Sequence, residues 1–132
     1  MAAAQRPIEL IQARSLMAGL STAAFLVDEA GTLLFYNETA GELLGLPFEQ
    51  AGAMQEQEWG TRFRPREPGG GELAVEDLPL TIALRDGEPG HAQMKITAAD
   101  GEDHLIAVSA IPIKGRAGQL GAFAIFWPAS TD

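Results

Sequence analysis

The chain contains no cysteine among its 132 residues. Disulfides, thiolate metal ligands, thiol nucleophiles and cysteine-linked chromophores are therefore excluded. Basic residues are also scarce, with 9 Lys and Arg against 18 Asp and Glu, for a formal charge of −9. A field of that sign repels phosphate backbones and anionic headgroups, so neither nucleic acid nor a membrane surface is an expected partner. No apolar run approaches the roughly 20 residues that span a bilayer. The opening MAAAQRP lacks the uninterrupted apolar segment of a secretion signal, and a cytoplasmic location is the expectation. Histidine occurs only at His91 and His104. Without an HxxxH spacing both read as exposed hairpin residues, and no metal site is expected.

What the chain does have is enough apolar character, 46% of residues, to pack one domain. Residues 24–45 read as strand, turn, strand and capped helix. The apolar run 24–27 is interrupted by Asp28, Glu29 and Gly31, and a second run rich in strand formers covers 32–36. Asn37 is placed to cap a helix, with Thr39 and Glu42 as a competing capping box. Ala40, Leu43 and Leu44 form its buried face and Gly45 its stop. Upstream, Leu10, Ala13, Met17 and Leu20 recur at helical spacing over 8–20, giving an amphipathic helix that must dock on its own domain or on another copy.

Short helical turns are expected after Leu46, and 60–72 reads as a loop from Pro65, Pro68 and the triple glycine 69–71. Leu80, Ala83 and Leu84 mark a helix over 78–86, preceded by Glu76 and Asp77 and stopped by Gly87. From Gly90 the period becomes two, with strands to Ala98, over 103–113 and over 121–127, joined at Asp100-Gly101 and at a polar turn, 114–119. The class is α+β. The segments divide into an N-terminal flanking helix (1–21), a domain (22–128) and a tail (129–132).

The motifs FLVDEAGTLLFYNETAGELLG, LPLTIALRDGE and AADGEDHLIAVSAIPIKGRAGQLGAF, in that order, resemble a PAS domain over residues 22–127. The resemblance implies a five-stranded antiparallel sheet of order 2-1-5-4-3, with helices on one face and a ligand often held between. It assigns Met94, Ile96, Ile106, Val108, Ala110, Ala122, Ala124 and Phe126 to the inner, helix-facing side. The flavin-binding light-oxygen-voltage branch uses strand amides where this chain has Ile96, Ile106 and Phe126, and its adduct needs a cysteine. The flavin–cysteinyl adduct is thus excluded, as is cysteine-attached photoactive-yellow-type chemistry. Haem relatives draw a ligand from the long helix, where 78–86 has no histidine, so no cofactor is expected.

Two readings of the inner face stay open. Its side chains either interdigitate with Leu43, Leu44, Leu80 and Leu84 as solid core or line a pocket for a small apolar or amphipathic ligand, for which Ala110, Ala122 and Ala124 leave room. In the second reading Trp59 packs the ligand, while Arg62, Arg64 or Arg66 contacts an anionic end. On the outer face Leu105, Ala107, Ile111, Phe123, Ile125 and Trp127 are apolar too. Two strands apolar on both faces need a second cover. With Leu10, Ile11, Met17 and Leu20 of the first helix they form the expected homodimer surface, and the resemblance also implies dimerisation through a flanking helix.

A signalling or sensor module is therefore expected, with ligand or as a ligand-free interaction module. Candidate acids and bases are scattered and each has a structural explanation, so an isomerase-like α+β enzyme is the lesser alternative and no catalytic residue is assigned. The resemblance also implies an Asp-Ile-Thr-like junction to an effector, where this chain has Pro128, Ala129 and Ser130. The module then acts on a signalling protein in trans, or it is the sensory part of a larger kinase, cyclase or transcription regulator.

Overall fold

The computed structural model describes residues 8–116 and 118–129. Residues 1–7 of the expected flanking segment, and Ser130 with the rest of the expected tail beyond Ala129, lie outside the described residues. In chain order the elements are α1 (Ile8–Ala18), β1 (Ala23–Asp28), β2 (Leu33–Tyr36), α2 (Glu38–Leu44), α3 (Phe48–Ala51), α4 (Glu56–Arg62), a 3-10 turn (Val75–Asp77), α5 (Pro79–Asp86), β3 (Gly90–Thr97), β4 (Asp103–Gly115) and β5 (Gly118–Pro128). The strands form one antiparallel sheet of order β2-β1-β5-β4-β3, as the resemblance implied.

Local chemistry accounts for the boundaries. The Asp28 carboxylate accepts from the Ala30 and Thr32 amides, each at 3.0 Å, and Gly31 takes φ 85°, which turns β1 into β2. Asn37 caps α2, its Oδ1 accepting from the Ala40 amide at 3.0 Å, and Gly45 ends that helix in the left-handed region. α5 starts at Pro79 because Leu78, held extended ahead of proline, serves as its cap; Gly87 stops it.

One expected turn is shorter than its polar composition suggests. The β4–β5 ladder runs on past a bulge after Ile113 to Lys114↔Gln119 and Gly115↔Gly118. The Gln119 side-chain amide donates to the Ala83 carbonyl at 2.9 Å, which holds this hairpin against α5. Polar residues here make tertiary contacts, and the strands are correspondingly longer.

Two apolar clusters sandwich the sheet. The larger lies between the inner face and α2, α4 and α5, and includes Phe25, Tyr36, Leu44, Trp59, Leu80 and Phe126. The smaller lies on the outer face, where Leu10 and Met17 of α1 pack with Ala24 and Leu26 of β1. The Arg14 guanidinium adds a contact 4.5 Å from the Phe35 ring centroid. α1 thus covers part of its own sheet.

Candidate functional site

The inner cluster is not completely filled. A cavity of about 90 Å³ remains between the sheet, α5 and the segment after α4. Met94, Ile96, Ile106, Val108, Ala124 and Phe126 supply its strand side and Trp59 one corner. Phe63, Pro65, Leu78, Pro79 and Leu80 close the other side, with Phe25 and Leu44. The one polar atom on these side chains, Trp59 Nε1, is committed to the Gly31 carbonyl at 2.8 Å.

Ala110, expected in the wall, is not there, although it is buried. Gly90, Ala110 and Ala124 stand side by side across β3, β4 and β5. At Gly90 a Cβ would sit 3.4 Å from the Pro79 Cα and 3.3 Å from its carbonyl oxygen. The small residues of this row admit the start of α5 close to the sheet, so only part of the space they leave is open.

The three arginines do not converge. Arg62, at the end of α4, lies 3.7 Å from Glu58 one turn earlier. Arg64 is exposed with a φ of 51°. Arg66 donates to the Thr97 hydroxyl at 3.1 Å and lies 3.4 Å from the Asp103 carboxylate, which also accepts from Thr97 at 2.7 Å. The Thr97 hydroxyl first, then Arg66 and Lys95, hold the Asp103 carboxyl below its usual range against the opposing effect of burial. Arg66 thus forms a latch to β3–β4, while Arg62 pairs with Glu58 and Arg64 stays exposed.

The segment carrying Arg66 is also more ordered than its composition suggests. Backbone bonds run from the Arg66 amide to the Lys95 carbonyl (2.9 Å), from the Lys95 amide to Arg66 (2.8 Å) and from the Thr97 amide to Phe63 (2.7 Å). The alternation Phe63-Arg64-Pro65-Arg66 was the available signal: a period of two is a strand-edge pattern. The prolines and glycines that follow masked it.

On the outer face the expected interface divides. Leu10 and Met17, each 2% exposed, are buried against their own β1 and are not offered to another copy. Phe123 and Ile125 are half-buried beside them and Leu105 is half-buried. Ile11 (54% exposed), Leu20, Ile111 and Trp127 (42%) remain open, together with Ile8 and Leu16. The uncovered side of α1 carries Ile8, Ile11 and Leu16 interleaved with Glu9, Gln12 and Ser15.

Two further groups bear on chemistry. The Tyr36 hydroxyl donates to the Leu46 carbonyl, and its ring stacks on Phe25 with centroids 5.2 Å apart. Burial pushes its pKa above the ordinary value, with Arg62 lowering and Glu49 raising it to lesser degrees. His91 Nδ1 and Ser109 Oγ meet at 2.8 Å, but on exposed outer surface away from the cavity, where a reacting group would stay in water.

No family model and no curated protein matches the chain. Solved structures do. A PAS domain from Colwellia psychrerythraea superposes with a TM-score of 0.66 at 19% identity, over 93% of this chain and 98% of that one. A PAS domain from a two-component sensor histidine kinase gives 0.60 at 14%, over 92% and 97%. The Rhodobacter sphaeroides LOV protein gives 0.72 at 17%, over 95% of this chain and 70% of that one. The chain has the PAS fold. A flavin presents a polar edge on its ring system. The cavity is well below the about 300–1,000 Å³ of typical ligand pockets, and its walls offer no amide for the polar edge of the ring system.

Proposed function

We propose that the protein is a sensory or signalling module that works through its outer surface, pairing with a second copy of itself and passing the signal to a partner protein. The observation that carries this reading is the uncovered apolar surface: Ile8, Ile11 and Leu16 on α1, with Ile111 and Trp127 on the sheet beside it. An amphipathic helix on a solvated domain surface should present polar groups outward; α1 presents Ile8, Ile11 and Leu16 among Glu9, Gln12 and Ser15. A second copy brings the same patch and buries both at once. The partner is a cytoplasmic signalling protein acting in trans or an effector joined beyond β5. The reading assigns no enzymatic activity.

Sedimentation tests it. The parent should run as a dimer, and Ile11→Glu or Trp127→Glu should shift it to monomer with unchanged circular dichroism. A monomeric parent at high protein concentration, or an unchanged mass in both variants, overturns the pairing.

A second reading rests on the cavity: a compact apolar molecule occupies it and biases the module. An apolar protein cavity of about 150 Å³ holds benzene, so about 90 Å³ sets the scale at a few heavy atoms unless the wall yields. Native mass spectrometry and a benzene titration followed by Trp59 fluorescence test this. No retained molecule and no saturable change would remove it.

A further inference from the structure

Phe63 and Pro65 are wall residues of the cavity, yet they belong to no helix or named strand. Between them sits Arg64, the one non-glycine residue with positive φ among the described residues. A left-handed backbone is unfavourable for an ordinary side chain, and here it lies directly before a proline, where the backbone is restricted further. Such a residue persists only because its surroundings hold it. Three backbone bonds to β3 hold this one, at Arg66 to Lys95 twice and at Thr97 to Phe63, with the Arg66 side chain across Thr97 and Asp103. Arg66 is mostly buried there while Asp103 is largely exposed, so the fastening lies at the solvent boundary.

We propose that residues 63–66 are a latched lid over the apolar cavity, closed by Arg66 on Thr97 and Asp103 and loaded by the strained backbone of Arg64. When the latch opens, Phe63 and Pro65 leave together, because they flank the strained residue. The cavity then widens beside Leu78, and the β3 amides of Lys95 and Thr97 lose their partners. Opening removes the wall that limits the cavity's size, so the latched volume is not the upper bound on what it holds. The proposal deepens the cavity reading and rests on it. Its test uses no ligand, so an unsuccessful ligand search and an unsuccessful lid remain separate results.

The experiment combines amide hydrogen exchange with acrylamide quenching of Trp59, in a Trp127→Phe background where Trp59 is the single indole. Arg66→Ala and, more mildly, Asp103→Asn should speed exchange at Lys95 and Thr97 by about tenfold, the loss expected when a charge-assisted hydrogen bond is removed. Trp59 quenching should rise in parallel while the β1–β5 ladder stays protected. Faster exchange with Trp59 still shielded, or no change in either, overturns the lid. Should Arg66→Ala unfold the chain, Arg64→Asn reads the same device in the opposite sense. Asparagine accepts the left-handed region, so exchange at both amides should slow about twofold. Unchanged or faster exchange in that variant also overturns it.

Discussion

Asn37 donates its side-chain amide to the Met17 carbonyl oxygen across 3.0 Å and so fastens the end of α1 to the start of α2. The same amide reaches the Thr22 carbonyl at 2.8 Å, and Oδ1 accepts from the Ala24 and Ala40 amides. All four hydrogen-bonding positions of one buried side chain are used, and they join three elements. Replacing Asn37 by Leu should cost about 3 kcal/mol, combining a lost cap with stranded buried carbonyls and amides. Asn37→Asp keeps the acceptor but turns a carboxylate toward two carbonyl oxygens. Burial and that repulsion favour the protonated form, so its deficit should be larger at pH 8 than at pH 5. Urea unfolding at the two pH values measures both effects.

Tyr36 provides a titration with a definite sign. Its phenol is buried and its pKa lies above the ordinary value of 10.0, so the folded state prefers the proton. The contribution to stability is complete below the unfolded value and is lost as pH rises through the folded one. Stability of the parent should therefore fall above pH 10 more steeply than that of Tyr36→Phe. Near neutrality Tyr36→Phe should be weaker by about 1 kcal/mol for the bond to Leu46. Because Tyr36 is the single tyrosine, ultraviolet titration reads its ionisation directly.

Ala110 and Ala124 are register partners with opposite expected responses. Ala124 lines the cavity and Ala110 does not. Ala124→Val should gain about 1 kcal/mol by filling space and should weaken any benzene binding. Ala110→Val should lose about 1–3 kcal/mol through crowding beneath the start of α5. Denaturant midpoints for the pair distinguish open from occupied space; equal signs would contradict the assigned wall.

Gly121 faces Asp28 of β1 and Ile113 of β4, and a Cβ there would overlap the Val27 carbonyl oxygen and approach the Leu10 side chain to 3.3 Å. Gly121→Ala should destabilise by about 2–3 kcal/mol, since the obstacle is backbone and cannot turn aside. A thermal midpoint within experimental scatter of the parent would contradict this.

Much of the fold was readable because its signals are local. Asn37, Gly45 and Gly87 act within a turn of where they stand, and the two-residue period from Gly90 onward orders the late strands. The inner faces followed from that period, apart from the distinction between Ala110 and Ala124, which depends on where α5 lands. The fastening of Arg66 is not legible for a related reason. Its partners, Thr97 and Asp103, are remote in sequence, and a charged residue between prolines looks solvated until its edge strand is in place. Along α1 the stripe predicted a buried Leu20, but the helix ends at Ala18 and Leu20 is left outside. Which apolar residues of α1 meet the sheet is set by the direction of docking, which helical spacing alone does not determine.

Both margins of the sheet carry a stop. At β2 the Leu33 amide is taken by the Met54 carbonyl, and at β3 the Lys95 and Thr97 amides are taken by residues 63–66. A chain arriving edge-on meets amides already engaged and cannot run an uninterrupted ladder along either rim, a feature that disfavours edge-to-edge stacking. In the proposed pairing the broad face is left as the docking surface, where side chains rather than backbone decide the fit.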